Sequence, residues 1–253
     1  MTTLAVLPAR LHATRLPRKP LRLLGGEALI VRVWERVSDL ALFDHVVIAT
    51  DSLEVVQVAE LAGARCVLTS DRHPSGTDRV AEVAARPEFA GTHAIVNVQG
   101  DEPFVSTEAV QAALAMVLEH GFEIGTVAAP APTDVLARAE VVKVVAADDG
   151  RALYFSRAGI PFVRELADAS ERDRLVRQHL GVYAYTPDAL ARWVRLAEHP
   201  LERVERLEQL RPLAAGMAIG VGMVAEVPER GIDTEDDLVR ANARWTDRTA
   251  GRT

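Results

Sequence analysis

The chain of 253 residues is 49% hydrophobic and 26% charged, with a net charge of −7, which excludes a disordered or fibrous protein and matches a globular one. The negative charge argues against a nucleic-acid partner, and no apolar run is long enough to cross a membrane. A single cysteine, Cys66, and an N-terminus without the basic and apolar regions of a secretory signal lead us to expect a cytoplasmic protein.

The first hundred residues alternate short apolar strands with amphipathic helices. We predict strand 4–8, helix 27–40, strand 45–51, helix 53–61, strand 65–69, helix 79–85 and strand 93–99. We find no hairpin dipeptide between these elements, so the pattern indicates βαβ units and a parallel sheet. Polar and glycine residues follow the strands, at the edge where open α/β sheets bind ligands.

The pattern changes after the helix predicted at 106–120. We predict strand 125–129, an antiparallel hairpin of strands 141–146 and 152–156, strand 180–185, helices 187–198 and 201–215, strand 218–227 and helix 236–244. The simplest interpretation is one α/β domain over residues 1–245, with an inserted subregion that faces the substrate. Residues 246–253 are expected to form a disordered tail.

A basic loop follows the first strand. Its cations, within residues 10–22, are Arg10, Arg15, Arg18, Lys19 and Arg22. A triphosphate needs several cations and free backbone N–H groups, and a loop at a strand end offers both. The loop lacks the GxxxxGK[ST] motif of ATPases and GTPases. On charge alone a solvated loop is an equal alternative, but only Lys19 and Lys143 are lysines among the 29 basic residues, which favours a binding role for Lys19.

Two acidic positions are candidates for a metal site. Asp101 follows the strand at 93–99 and a glycine, where carboxylates often hold magnesium on a phosphate, although a turn or a helix cap also explains it. Asp233 precedes a capping box of Thr234 and Asp237, which accounts for its neighbours but not for Asp233 itself. It would complete a metal site with Asp101 if the last strand lies near the strand at 93–99.

The remaining features carry weaker signals. The glycine-centred loop at 73–79 either contacts a base or caps the following helix. Arg177, His179, Tyr183 and Tyr185 alternate along a strand and therefore share one face. Such a stripe suits sugar hydroxyls, and it also suits an amphipathic core.

Taken together, these motifs resemble the family of CMP-Kdo synthetases, the 3-deoxy-manno-octulosonate (Kdo) cytidylyltransferases, from about Leu4 to Leu238. The likeness is carried, in chain order, by Pro8-Ala9-Arg10, Thr14-Arg15-Leu16-Pro17, Lys19-Pro20-Leu21, Ala49-Thr50-Asp51, Ser75-Gly76-Thr77, Asn97–Pro103, Val142-Lys143-Val144, Tyr154–Arg157, Ile160-Pro161, His179–Tyr185, Leu207–Arg211 and Asp233-Thr234. The segments at 154–157, 179–185 and 208–211 favour this family over relatives that activate sialic acid or methylerythritol phosphate.

The resemblance implies a Rossmann-like nucleotidyltransferase fold, usually a homodimer, with a mostly parallel sheet flanked by helices and an inserted subregion for sugar binding and dimerisation. It implies that CTP and Kdo, an acidic sugar, react with Mg²⁺ as cofactor to give CMP-Kdo and pyrophosphate, for lipopolysaccharide or a related glycan.

The same resemblance implies roles for particular residues. The triphosphate would be bound by Arg10, Arg15 and Lys19, the cytosine by Ala9, Ser75 and Gly76, and magnesium by Asp101 and Asp233. Lys19, Asp101 and Asp233 would form the catalytic group. The sugar site would be lined by Gln99, Arg157, His179, Tyr185, Glu208 and Gln209.

Two positions depart from the family's first loop, which usually has serine in place of Ala13 and glycine in place of Arg18. The first change removes a hydroxyl group from the phosphate loop, and the second adds a long cation where bare backbone is expected. Two other functions therefore stay open. One is activation of another acidic sugar with CTP or UTP, and the other is nucleotide binding without turnover.

Overall fold

The computed structural model describes residues 1–12, 15–229 and 231–250. The chain divides into two compact units, Met1–Val105 with Pro228–Thr253, and Ser106–Val227. Within the part of the chain that the structure describes, no helix is both long and apolar enough to span a bilayer.

The strands and helices follow in chain order. They are β1 (Thr3–Ala9), β2 (Leu23–Leu24), β3 (Glu27–Ala28), α1 (Leu29–Ser38), β4 (His45–Thr50), α2 (Leu53–Leu61), β5 (Arg65–Leu68), α3 (Gly76–Ala84), β6 (Ala94–Asn97), α4 (Thr107–Leu118), β7 (Ile124–Pro130), β8 (Lys143–Ala146), β9 (Ala152–Ser156), α5 (Ala169–Arg174), β10 (Arg177–Tyr185), α6 (Pro187–Trp193), α7 (Pro200–Glu205), α8 (Leu210–Ala214), β11 (Ile219–Met223) and α9 (Glu235–Ala250). Short 3-10 helices occur at Lys19–Leu21, Pro87–Phe89, Thr133–Ala137 and Leu166–Asp168.

The first unit contains a parallel sheet in the order β6-β1-β4-β5. In its centre Val6 of β1 lies between Val47 of β4 and Asn97 of β6. Every residue of β1 is buried, which explains why its sequence is a continuous apolar run without alternation. Helices α1 and α3 pack against β1 and β4, and α2 packs against β5. The predicted βαβ pattern is confirmed in this unit.

One prediction in the first unit was wrong. Gly25-Gly26 is a hairpin dipeptide, and it joins β2 to β3 with Leu23 opposite Ala28. The two glycines have φ values of 57° and 82°, which is the conformation that a two-residue hairpin turn requires. Strands of two residues are too short to show the alternation on which the prediction relied.

The second unit is built around β7, which is parallel to β11 and antiparallel to β10. β8 pairs with both β10 and β9, so the antiparallel hairpin predicted from 141–156 is confirmed. Helix α4 packs against β7, β10 and β11. The two units together have the predicted α/β class.

A single helix at 201–215 was also a wrong prediction. The structure has two helices, α7 and α8, and the break falls at Arg206, which adopts the left-handed conformation with φ 54° and ψ 46°. A left-handed residue ends an α-helix. The last helix, α9, extends to Ala250, and residues 251–253 of the expected tail lie outside the described residues.

Candidate functional site

Close backbone approach brings Asp101 beside the basic loop. A Cβ atom at Gly100 would lie 2.7 Å from the carbonyl oxygen of Pro8 at the end of β1. Only glycine permits that distance without a shift of the backbone. The residue after Gly100 is therefore held next to the start of the loop.

Asp233 reaches the same place through the segment that precedes α9. The N–H of Ile232 donates to the carbonyl oxygen of Asp101 at 2.9 Å. A Cβ atom at Gly231 would lie 3.0 Å from the carbonyl oxygen of Asp101, so a larger residue would crowd this contact. The last strand, β11, ends at Met223, and the approach to Asp101 is made instead by the loop after it.

The predicted capping box at the start of α9 is confirmed. The Thr234 hydroxyl accepts a hydrogen bond from the N–H of Asp237 at 3.2 Å. The Asp237 carboxylate accepts from the N–H groups of Asp233 and Thr234 at 3.2 and 2.9 Å. The cap engages the main chain of Asp233 and leaves its carboxylate to other partners.

The ammonium group of Lys19 joins the two carboxylates. It donates to Oδ2 of Asp101 and, at 2.9 Å, to Oδ1 of Asp233. Arg15 approaches the other oxygen of Asp233 to 3.1 Å. Burial acts to lower the pKa of Lys19, but the charges and hydrogen bonds of Asp101 and Asp233 outweigh it and raise that pKa. Lys19 is therefore a permanent cation at neutral pH.

Glu102 adds a third carboxyl group to this region. Burial, and then the charges of Asp101 and Asp233, raise the pKa of Glu102 to about 8. Glu102 is therefore mostly protonated at neutral pH. The Lys19 ammonium is shared by two carboxylates rather than three.

A pocket of about 220 Å³ opens beside this cluster. Its lining residues come from the ends of strands β1 and β6, the basic loop and the start of α3, and they are Pro8, Arg10, His12, Lys19, Pro20, Gly76, Gln99, Gly100 and Asp101. Three separate sequence motifs therefore meet in one pocket. His12 and Pro20 were not identified as site residues, because a lone histidine or proline in a loop carries no spacing signal.

Arg10 in this pocket has an unpaired buried donor. Its Nη2 atom is buried and has no hydrogen-bond partner among the described residues. An unpaired buried donor is costly unless a ligand supplies the acceptor. Arg10 thus fits an anionic ligand such as a phosphate.

A second arginine, Arg79, is fully buried. Burial lowers the pKa of Arg79, Asp51 acts against that effect, and the positive charge of Arg10 adds to it. Asp51 lies 2.8 Å from the Arg79 guanidinium and accepts the N–H of Leu11 in the basic loop at 3.4 Å. The ion pair of Arg79 and Asp51 is therefore tied to the backbone of the basic loop at Leu11.

The loop at 73–79 caps the following helix, one of the two alternatives left open by the sequence. Oγ of Ser75 accepts the N–H of Asp78 at 3.3 Å and donates to the Asp78 carboxylate at 2.6 Å. This cap makes α3 begin at Gly76, three residues before the predicted start. The side chain of Ser75 is thus engaged within the helix, while Gly76 lines the pocket.

The residues expected to bind the sugar fall into both units. Gln99 belongs to the first unit and lines the pocket beside Asp101. The others lie in the second unit, and they are Arg157, His179, Tyr185, Glu208 and Gln209. Glu208 is exposed and Gln209 is buried.

His179 is a neutral hydrogen-bonding group. Its Nε2 atom lies 2.8 Å from the Thr126 hydroxyl, which is 2.8 Å from the carbonyl oxygen of Val182. Because a carbonyl only accepts, the hydroxyl proton of Thr126 goes to Val182, and Nε2 of His179 must donate to Thr126. Burial lowers the pKa of His179 to about 4, so the ring is uncharged at neutral pH.

Ring contacts confirm that His179, Tyr183 and Tyr185 share a face of β10, although a register shift interrupts the alternation between His179 and Tyr183. These residues are packed as a core. The rings of Tyr183 and Tyr185 stack with centroids 6.0 Å apart, and Trp193 contacts Tyr185 edge-on at 5.6 Å. Tyr185 is fully buried. Burial raises the pKa of Tyr183, with smaller contributions from Tyr185 and Glu208.

The acidic pair fits a magnesium ion. Asp101 and Asp233 already converge on one cation, the Lys19 ammonium. Among the described residues no group of three or more His, Cys, Asp or Glu side chains could hold a metal. Two carboxylates suffice, because Mg²⁺ in nucleotide enzymes is commonly held by one or two carboxylates together with substrate phosphates.

Comparison with known proteins agrees with this geometry. The cytidylyltransferase family model matches residues 4–219. The 3-deoxy-manno-octulosonate cytidylyltransferase of Gemmatimonas aurantiaca is 60% identical over 97% of this chain and 95% of its own length. The enzyme of the same name from Polynucleobacter asymbioticus is 45% identical over 94% of this chain and 93% of its own length.

Solved structures give the same result. The structure of CMP:2-keto-3-deoxy-manno-octonic acid synthetase complexed with CTP superimposes with a TM-score of 0.89 at 34% identity, over 98% of this chain and 100% of that one. A 4-diphosphocytidyl-2C-methyl-D-erythritol synthase from Anaerococcus prevotii has a TM-score of 0.63 at 14% identity, over 97% of this chain and 98% of that one, and shares the fold alone. The chain therefore belongs to the cytidylyltransferase family, among the 3-deoxy-manno-octulosonate cytidylyltransferases.

Proposed function

We propose that this protein transfers CMP from CTP to Kdo and releases pyrophosphate. The observation that carries the proposal is the convergence of Lys19, Asp101 and Asp233 beside a pocket whose Arg10 donor is unpaired. The family relationship supports CTP and Kdo as the substrates.

The reaction is an in-line displacement at phosphorus. The anomeric hydroxyl of the sugar forms a bond to the α-phosphorus, and the bond between that phosphorus and the bridging oxygen of pyrophosphate breaks. The hydroxyl gives up its proton to solvent, and pyrophosphate leaves with the electron pair of the broken bond. Such a transfer asks the protein mainly for positioning and charge stabilisation.

The basic side chains of the first unit have the charge that this step requires. Arg10 would give its unpaired donor to a phosphate oxygen, and Lys19 and Arg15 would take up charge on the departing pyrophosphate. Because both cations contact Asp233, a triphosphate would compete with that carboxylate for them. Asp51 and Arg79 would hold the loop that carries Arg10 and Leu11.

Asp101 and Asp233 would hold the magnesium cofactor. When bound there, Mg²⁺ supplies positive charge between two anionic substrates and lowers the pKa of a hydroxyl that it contacts.

The residues of the second unit would recognise the sugar. Arg157 is the cation available for its carboxylate, and neutral His179 suits a hydroxyl group. Glu208 and Gln209 offer further polar atoms. A homodimer in the cytoplasm, serving lipopolysaccharide or a related glycan, completes the proposal and rests on the family resemblance.

A second candidate function, CTP binding without turnover, rests on the two departures from the family's first loop. Arg18, where the family usually has glycine, adopts the left-handed conformation with φ 57°, directly before Lys19. The other departure, Ala13, lies outside the described residues.

Pyrophosphate release by the purified protein with CTP, Mg²⁺ and Kdo tests the proposal, with Kdo omitted as the control. We expect release that depends on Kdo and stops when EDTA is added. Release with sialic acid or with UTP but not with Kdo and CTP would point to another sugar nucleotide. Bound CTP without release for any sugar would support the second candidate.

A further inference from the structure

Glu205 is the last residue of α7. Its carboxylate and carbonyl oxygens accept hydrogen bonds from two consecutive residues of the second unit, Ser156 and Arg157. Its carboxylate accepts the hydroxyl of Ser156 at 2.7 Å and the N–H of Arg157 at 2.9 Å. Its carbonyl oxygen accepts Nε of Arg157 at 2.7 Å. Among the described residues, no cationic side chain forms an ion pair with the Glu205 carboxylate. This carboxylate therefore serves hydrogen bonds to the segment at 156–157.

The guanidinium of Arg157 is held by main-chain carbonyls alone. Besides the bond to Glu205, Nη1 donates to Ala139 at 3.0 Å and Nη2 donates to Arg206 at 3.3 Å. A guanidinium has five N–H donors, so two remain after these three bonds. Within the described part of the chain no carboxylate neutralises Arg157, and its charge is available for an anion.

Lys143 fixes the other side of Arg157. Its ammonium group is fully buried and donates to the carbonyl oxygens of Arg138 at 2.9 Å, Val141 at 2.7 Å and Arg157 at 2.6 Å. The N–H of Arg157 is thus bound by Glu205 and its carbonyl by Lys143. Main chain and side chain of Arg157 are both fixed.

The same contacts set the turn that leads to two other candidate sugar residues. Arg206 adopts a left-handed conformation, which a residue other than glycine keeps only where its surroundings impose it. Arg157 binds the carbonyls of both Glu205 and Arg206. Leu207 follows at once, and Glu208 and Gln209 come next.

We propose that Glu205 is a positioning residue for the acidic sugar. It holds Arg157 in the orientation that binds the sugar's carboxylate, and through Arg157 it fixes the turn before Glu208 and Gln209. This inference rests on the proposed function and on the proposed sugar-side roles of those residues. Glu205 itself does not contact the substrate.

The test compares steady-state kinetics of Glu205→Ala and Glu205→Gln with wild type. For Glu205→Ala we expect the KM for Kdo to rise about 10- to 100-fold, because small displacements of a binding group carry costs of that size. The KM for CTP should stay within about twofold. Glu205→Gln keeps one acceptor oxygen for the N–H of Arg157, and the Ser156 hydroxyl can rotate to accept from the amide, so it should recover most of the affinity.

A matched control is Glu198→Ala, which removes an exposed glutamate that pairs with Arg203 at 2.9 Å just before α7. Both KM values should remain at the wild-type level. The double variant with Arg157→Ala should have nearly the KM for Kdo of Arg157→Ala alone, because residues that act through one another are not additive.

The outcomes separate the two proposals. Wild-type protein without Kdo-dependent pyrophosphate release would overturn the proposed function and this inference with it. An active wild type with an unchanged KM for Kdo in Glu205→Ala, an equal rise for both substrates, or additive effects with Arg157→Ala would overturn only the role of Glu205. If Glu205→Ala does not fold, Ser156→Ala takes its place, because it removes one of the two hydrogen bonds of the Glu205 carboxylate. It should raise the KM for Kdo, and an unchanged KM in Ser156→Ala would decide against the proposal.

Discussion

Two cations of the first unit and two of the second are bound in different ways. In the first unit Lys19 is paired with Asp101 and Asp233, and Arg79 is paired with Asp51. In the second unit Lys143 and Arg157 are bound by backbone carbonyls. A carboxylate neutralises a cation, whereas a carbonyl holds it in place and leaves its charge.

This difference distinguishes ion pairs that a ligand can replace from hydrogen bonds to the main chain that stay in place. Buried ion pairs give little net stability, because desolvation of both charges offsets their attraction. The pairs of Lys19 with Asp101 and Asp233 therefore fit the proposed site, in which phosphates and a metal ion would exchange partners with them. The carbonyl-bound cations of the second unit form a rigid frame, which suits selection of a neutral or singly charged sugar.

The largest effect is expected from a substitution in the acidic pair of the first unit, Asp101 and Asp233. Asp101→Asn removes a charged partner of Lys19 and a proposed metal ligand, so we expect kcat to fall by at least about 100-fold at saturating Mg²⁺. Pyrophosphate release measures it. Asp236→Asn, an exposed change at the start of α9, is the control and should leave kcat unaltered. Near-normal turnover of Asp101→Asn would remove Asp101 from the metal site.

The next largest effect is the pH dependence of stability that His179 of the second unit contributes. The pKa of His179 is about 4 in the folded protein, against 6.5 as its ordinary value. As the pH falls from 6.5 to 4, the unfolded chain binds this proton before the folded one does, so the stability contributed by His179 is complete above 6.5 and is lost toward pH 4. The loss amounts to about 3 kcal/mol.

Denaturant unfolding between pH 7.5 and 4.5 measures this loss. His179→Gln should show a flatter dependence of the unfolding free energy on pH than wild type. His120→Gln, which changes an exposed histidine, should keep the wild-type dependence. Parallel curves for wild type and His179→Gln would mean that His179 titrates normally in the folded protein.

The sequence predicts local elements well and fails where distant contacts decide. The parallel sheet of the first unit follows from apolar runs and helical spacing, which are local properties. The helix break at Arg206 is held by a hydrogen bond from Arg157, which lies 49 residues earlier in the chain. Helical periodicity cannot show such a contact. The hairpin at Gly25-Gly26 was missed because its strands are two residues long.

The candidate site was predicted in the same uneven way. Asp101 follows a strand and a glycine, which is a local signal, and Asp233 was singled out because the capping box did not account for it. Their common partner Lys19 came from the family resemblance and from the scarcity of lysine. Arg79 gave no signal, because an arginine near the start of a helix is usually exposed, and only the fold buries it against Asp51.

The unpaired donor of Arg10 leads to a smaller effect on the first substrate. Arg10→Ala should raise the KM for CTP about 10- to 100-fold, the range expected for a hydrogen bond to a charged group, and leave the KM for Kdo nearly unchanged. Arg195→Ala, at an exposed arginine of the second unit, is the control. An equal rise of both KM values would contradict the assignment of Arg10 to the triphosphate.

The smallest expected effect is at Arg18, whose left-handed backbone and ion pair with Glu54 oppose each other. Arg18→Gly relieves a strain of about 1 kcal/mol and gives up an exposed ion pair of at most about 1 kcal/mol, so stability should change little. Arg18→Ala loses the ion pair and keeps the strain, so it should be less stable than Arg18→Gly by about 1 kcal/mol in thermal or denaturant unfolding.

The same two variants show whether Arg18 is a surface cation paired with Glu54 or a cation that binds a phosphate of the substrate. If the KM for CTP stays within about threefold of wild type in Arg18→Gly, the side chain is a surface group bound to Glu54, and the backbone turn is what Lys19 needs from this position. If that KM rises in both variants by about tenfold or more, as for a lost charged hydrogen bond, Arg18 leaves Glu54 for a phosphate. It would then join Lys19 and Arg15 among the cations that exchange a carboxylate for the substrate.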